Sequence, residues 1–136
     1  LVHDVEAQEV DSAKFYNYTS GGGTKISSVF ELTNDIIDNQ YPLDEWNIYC
    51  FYLSDGENWG DDNRKCINLL KQLEPKCNVI GLSEVKAHKD WAEFILHVEA
   101  AIDEAVLDKT ITVTSSIDSH SDILHTLKEF LLVSTK

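Results

Sequence analysis

Residues 49–63, YCFYLSDGENWGDDN, leave a dense apolar run and enter a loop whose residues 55–62 carry four carboxylates. Asp55 stands at the tip of the apolar run, and Gly56 behind it lets the chain turn away. An oxygen donor so placed suits magnesium, which takes one or two carboxylates, hydroxyls and retained waters in near-octahedral geometry. A solvated turn or a helix cap explains the same residue without a metal. Thr24 is the second residue of interest. It follows Gly21, Gly22 and Gly23 in SGGGTKISS, and that loop can carry a neutral hydroxyl to the sheet edge that holds Asp55. Ser54 and Glu84 end two apolar runs beside it and are candidates for supporting contacts. Trp59, inside the acidic loop, reads either as an exposed contact or as a cover over the loop.

Other chemistries fit less well. A P-loop requires G-x-x-x-x-G-K-[ST] directly after a strand; here Thr24 precedes Lys25 and no strand runs into the glycines. GDDN, residues 60–63, resembles the acidic motif of haloacid-dehalogenase-like phosphatases, but the Asp-x-Asp nucleophile motif of those enzymes is missing. A magnesium-dependent phosphohydrolase using Asp55 with Asp61 or Asp62 is the competing enzyme reading; helix capping accounts for Asp61 and Asp62 equally well. The five histidines, His3, His88, His97, His120 and His125, show no zinc spacing. No G-x-S-x-G elbow supports a serine nucleophile. Cys50, Cys66 and Cys77 make an odd count without a C-x-x-C pair, the usage expected of reduced, partly buried thiols in a cytoplasmic protein.

These residues need a frame to hold them. LVHDVEAQEV reads as a strand bent into a hairpin that continues towards Phe15 and Tyr16. Ile26, Val29, Phe30, Ile36 and Ile37 recur at helical spacing, with Thr24 as N-cap and Pro42 just past the end. NIYCFYL, residues 47–53, is apolar without alternation, the mark of a strand covered on both faces. Asp61 and Asp62 open a helix whose inner face is Cys66, Ile67, Leu69, Leu70 and Leu73. NVIGL (residues 78–82) and TITVTS (110–115) are two further strands. Between them Trp91, Phe94, Ile95, Val98, Ala101, Ile102 and Ala105 draw a stripe on a long helix. Ile123, Leu124, Leu127, Phe130 and Leu131 form the last helix, with Asp118, Ser119 or Ser121 as cap. Strand alternates with helix from Thr24 onward. The fold class is therefore α/β, a mostly parallel sheet flanked by helices with right-handed crossovers. Ligands of such sheets gather beyond the C-terminal strand ends, where Ser54, Asp55, Glu84, Ser115 and Ser116 lie.

The chain has 136 residues, enough for one domain. It carries 11 basic and 24 acidic side chains and a net charge of −13. Such a surface repels phosphate backbones and anionic lipid, so neither nucleic acid nor membrane is expected as a partner. No apolar run approaches the length of a membrane span. The chain opens on Leu1 and contains no methionine, which points to a piece of a longer protein.

The stretch SGGGTKISS…DIIDNQYPLDEWNIYCFYLSDGENWGDDN, with LVHDVEAQEV before it, resembles the YeaH/YhbH family of bacterial proteins linked to stress response and sporulation. The resemblance is strongest over residues 1–63 and continues more loosely through NVIGLSEV to the last helix. It implies a domain similar to the von Willebrand factor type A domain, a Rossmann-like, mostly parallel sheet that binds a divalent cation at a metal-ion-dependent adhesion site. Thr24 and Asp55 match two of the three segments of that site. The third, Asp-x-Ser-x-Ser after the first strand, is missing; DSHSD, residues 118–122, has other spacing and follows the last strand. The resemblance implies a single partial domain over residues 1–136, lacking its first strand. Its magnesium or manganese site would then be incomplete.

That reading makes the chain a metal-dependent protein-interaction module and not an enzyme. The implied setting is a stress-response complex with a serine-kinase-like protein as partner. A metal-independent scaffold is the further alternative. Loss of the first strand would strip NIYCFYL of a neighbour, and such an edge invites a homo-oligomer or a domain swap.

Overall fold

Three apolar runs become the strands of one parallel sheet. In the computed structural model, which describes residues 1–19, 21–85 and 93–133, these are β3 (Tyr49–Ser54), β4 (Val79–Val85) and β5 (Thr112–Ile117), side by side in that order. The register runs from Tyr49 beside Val79 to Ser54 beside Glu84, and from Ile80 beside Thr112 to Val85 beside Ile117. Before the sheet come a hairpin of β1 (Val2–His3) and β2 (Ala7–Gln8), the short α1 (Ser12–Tyr16) and α2 (Ser27–Gln40). The crossovers contain α3 (Asn63–Leu73), closed by a 3-10 turn over Glu74–Lys76, and α4 (Phe94–Asp103). The last element is α5 (Asp122–Val133). The fold is mixed α/β, a parallel sheet flanked by helices in the Rossmann-like manner.

Neighbouring side chains in a parallel register point to the same face, so the two faces can be read from the pairing. One face carries Cys50, Tyr52, Ile80 and Leu82. Phe30 from α2 and Phe94 from α4 both meet the Tyr52 ring there, at centroid separations of 5.3 and 6.1 Å. Leu69, Leu70 and Leu73 of α3 complete this main core. The opposite face carries Tyr49, Phe51, Leu53, Gly81 and Val113, and α5 packs on it. Phe130 of α5 stacks on Phe51 at 5.4 Å, and a Cβ at Gly81 would clash with the Phe130 ring. Ser115 Oγ meets Thr126 Oγ1 at 3.0 Å and donates to Glu129 Oε2 at 2.9 Å.

Several sequence expectations give way to these contacts. NIYCFYL is not covered on both faces: Tyr52 is buried, but Phe51 is 40% and Leu53 55% exposed. The physical reason is position: among the described residues β3 is one of the two edge strands, and α5 is centred on β4 and β5. The hairpin does not extend to Phe15 and Tyr16, which lie in α1, where Asp11 accepts from the Lys14 N–H at 2.7 Å. Of the expected inner face of α5 only Phe130 is buried; Ile123, Leu124, Leu127 and Leu131 are exposed. Ala105 is not on the α4 stripe. The helix ends at Asp103 and Ala105 turns the chain with a φ of 56°. Trp91 and His88 lie outside the described residues. Among the described residues no helix is long and apolar enough to cross a membrane.

Candidate functional site at the C-terminal edge of the sheet

Register alone aligns Ser54, Glu84 and Ser116 at the C-terminal ends of the three strands, on one face. Glu84 is 6% exposed. Asp55 follows Ser54 directly. Its Oδ1 accepts from the Glu57 N–H at 3.1 Å and from Ser54 Oγ at 3.4 Å, while Ser54 Oγ accepts from the Gly56 N–H at 3.2 Å. Gly56 makes this tight turn with a φ of 83°, a region that side-chain-bearing residues avoid. Asp55 is thus held at the exposed tip of β3, close enough to His3 for their charges to interact.

Thr24 reaches the same end of the sheet through a loop gripped on two sides. On one side Asp4 accepts from Gly21 N–H through Oδ2 at 3.0 Å and from Lys25 N–H through its carbonyl at 2.9 Å. The backbone bonds from Gly21 and Glu6 hold the Asp4 carboxyl below its ordinary range. On the other side Asn58 Oδ1 accepts from the Ile26 N–H at 3.0 Å, and the Trp59 ring lies 3.9 Å from where a Cβ at Gly23 would be. Trp59 itself is 49% exposed, so it both flanks the glycine loop and faces solvent. The loops of Thr24 and Asp55 are therefore joined through Asn58 and Trp59; no direct bond links the two side chains.

Thr24 is not the cap of α2. The helix starts at Ser27, and its first N–H groups are satisfied from the acidic loop, by Asn58 and by Asp62, whose Oδ2 accepts from the Ser27 N–H at 2.8 Å. Asp62 also accepts from the Cys66 thiol at 3.3 Å. Burial works against its charge, but hydrogen bonds from Ser27, Cys66 and Asn58 outweigh it and hold the carboxyl below the ordinary carboxylate range. Burial and the Asp62 charge push the Cys66 thiol far up. One of the two carboxylates proposed for a phosphohydrolase is thus spent on joining α2 to α3. Asp4 and Asn58 are positioning residues that sequence reasoning missed, and Asp62 was read as a cap of its own helix and not of α2. Asn58 and Asp62 carried a signal, an Asx residue within a few places of a glycine or a helix start; Asp4 carried none.

The donor set does not make a divalent-cation site by itself. Asp55 offers one carboxylate whose Oδ1 is already bonded, Thr24 offers a neutral hydroxyl, and no group of three or more His, Cys, Asp or Glu converges among the described residues. Magnesium needs six oxygens, of which retained water can supply only some.

The parallel sheet and a candidate site beyond its strand ends define an α/β domain of Rossmann-like class. The chain belongs to the family described as "Protein of unknown function (DUF444)", whose model matches residues 1–133. A UPF0229 protein of Bacillus thuringiensis (strain Al Hakam) is 40% identical over 88 residues, which is 65% of this chain and 22% of that protein. UPF0229 proteins of Bacillus cereus (strain B4264) and Bacillus anthracis (strain A0248) match with the same identity and coverage. The match thus spans about a fifth of the length of these curated relatives, 22%. No solved structure matches the chain.

Proposed function

We propose that the chain is a protein-interaction module, with the outer edge of β3 and the thinly covered sheet face beside it as the contact surface. The observation that carries this reading is the exposed apolar band of Tyr49, Phe51 and Leu53 on an edge strand; Leu127 and Leu131 are exposed on α5, which packs on the same face of the sheet. An edge strand with a flat apolar face offers both backbone hydrogen bonds and burial to an added strand. The resemblance to a von Willebrand factor type A domain supports the same reading, since its first strand would run along this edge of β3. In this chain a second copy is the occupant proposed, by edge pairing or a swapped segment.

Light scattering on the purified chain over a range of concentrations tests this. Concentration-dependent dimers that Leu53→Lys dissolves are expected. A wild-type chain that stays monomeric at high concentration would sink the proposal.

The cation belongs to the same reading as its finer part. Thr24 and Asp55 contribute a hydroxyl and a carboxylate to a magnesium or manganese site whose other ligands come from outside this chain, and a serine-kinase-like protein is the partner in the assembled complex. Calorimetric titration of manganese into the chain and into an upstream-extended version, each with Asp55→Ala, tests it. Binding by the extended version alone, lost in Asp55→Ala, is the expected result. Hydrolysis of a generic phosphate ester, abolished by the same substitution, would instead favour the enzyme.

A further inference from the structure

At the end of β3 opposite Asp55, two thiols lie against each other. Cys50 Sγ and Cys77 Sγ are 3.6 Å apart. Cys50 is half-buried on the edge strand, and Cys77 is buried in the segment that leads from the 3-10 turn into β4. Two cavities, of 420 and 340 Å³, reach Cys50 from between β3, α2 and the N-terminal segment. A small oxidant therefore has a route to one member of the pair, and the second member is already in place behind it.

We propose that Cys50 and Cys77 form a site of reversible thiol oxidation that takes a hydroperoxide as its oxidant and closes to a disulfide. The step balances as follows for hydrogen peroxide. The Cys50 thiolate attacks one peroxide oxygen; an S–O bond forms and the O–O bond breaks. Sulfur is oxidised to the sulfenic acid, the peroxide is reduced, and the departing hydroxide takes up the proton first lost by Cys50. Cys77 sulfur then attacks the sulfenic sulfur. The S–S bond forms, the S–O bond breaks, and the leaving hydroxide departs as water with the Cys77 proton. Two thiols and one peroxide give one disulfide and two waters.

The division of labour follows from access. Cys50 is half-buried and both cavities reach it, whereas Cys77 is buried behind it, and either thiol can donate the hydrogen bond between them. The attacking thiolate is thus the accessible one and the resolving thiol the sheltered one. Closing the gap to the ~2.05 Å of a disulfide takes a shift of about 1.5 Å, which side-chain rotation and slight strand movement supply. Cys66 is a control within the same chain, since it is fully buried and its thiol donates to the Asp62 carboxylate. The bond would fasten the N-terminal end of the edge strand to the start of its only strand neighbour among the described residues.

The test is thiol counting on the 136-residue chain. The chain is exposed to hydrogen peroxide, denatured in N-ethylmaleimide and weighed intact. Labelled thiols should fall from three to one, return to three after dithiothreitol, and a digest should join the Cys50 and Cys77 peptides. In Cys77→Ser, dimedone should trap a sulfenic acid on Cys50 that the wild-type chain does not accumulate. Cys66→Ser should still lose both labels. Retention of three labels at doses that oxidise free cysteine overturns the proposal, as does a link through Cys66 or between chains. The wild-type digest decides the question even if a variant fails to fold.

Discussion

The two faces of the sheet are built from the same three strands and differ in almost everything else. One is covered by α2, α3 and α4, whose Phe30, Leu70 and Phe94 are buried with Tyr52, Ile80 and Leu82 in a single core. Among the described residues the other is packed chiefly by α5, with Phe130 over Gly81 and the β3 side chains half open. The difference follows from winding. The sheet grows in one direction, β3 to β4 to β5, and right-handed crossovers that advance in one direction place their helices on one side. Both crossover helices therefore fall on the Tyr52 face, and among the described elements α5 is the one that packs most on the other. An α/β sheet gains equal cover on both faces by reversing its direction of growth, which these three strands do not do.

That contrast can be broken or sharpened by substitution. Phe94→Ala should be the most damaging, towards the upper end of the about 3–5 kcal/mol typical of a buried phenylalanine, because three helices share the cavity it leaves. Phe130→Ala should cost about 3 kcal/mol, with a hydrogen-exchange signature centred on α5 and on β3 and β4 around Phe51 and Gly81. Urea unfolding compares the two, and a larger loss for Phe130→Ala would reverse the assignment of main and secondary core. Asp62→Ala should cost about 1–3 kcal/mol, since it leaves the buried Ser27 N–H without its acceptor. The folded carboxyl titrates below the 3.8 of the free group, so its contribution is full above that value and is lost as pH falls through the lower, folded one. A pH series of unfolding curves should therefore show a shallower acid limb in the variant.

His3 predicts a smaller effect at higher pH. Its Nε2 lies 3.1 Å from Tyr52 Oη, and burial pulls the imidazole below 6.5. Docking of the hairpin is then complete above 6.5 and weakens as pH falls through the lower folded value. Two-dimensional NMR of the His3 and Tyr52 rings follows this directly, and an invariant Tyr52 signal down to pH 5 would refute it. Smallest of all, Leu53→Lys on the open face should change stability by no more than about 0.5 kcal/mol, whereas the same change at Leu82 should unfold the chain.

The order of the elements was legible because each apolar run had its own period and length. Asn78 to Leu82 read as a strand, and Val79–Val85 is one; Cys66, Ile67, Leu69, Leu70 and Leu73 read as a helix face, and all but the half-buried Ile67 are buried on it. NIYCFYL misled because an apolar run records what a strand tolerates and not what lies beside it; its exposure depends on where helices elsewhere in the chain end up. The last helix misled for the same reason. At the candidate site, the tip position of Asp55 was legible from strand and glycine together. The anchors of the segment around Thr24 were not, because Asp4, Asn58 and Asp62 bind Gly21, Ile26 and Ser27 across separations of 17, 32 and 35 residues, through bonds that leave no period in the sequence.

Asp62 has one more consequence. It occupies the N-cap position of α3 without capping it through its side chain, and its carboxylate accepts instead from the first turn of α2, so the partial positive end of α2 rests on a resident anion. Helix starts facing a sheet's C-terminal edge are where α/β proteins commonly gather phosphate. Here that notch is filled from within, by a side chain that a free anion would have to displace.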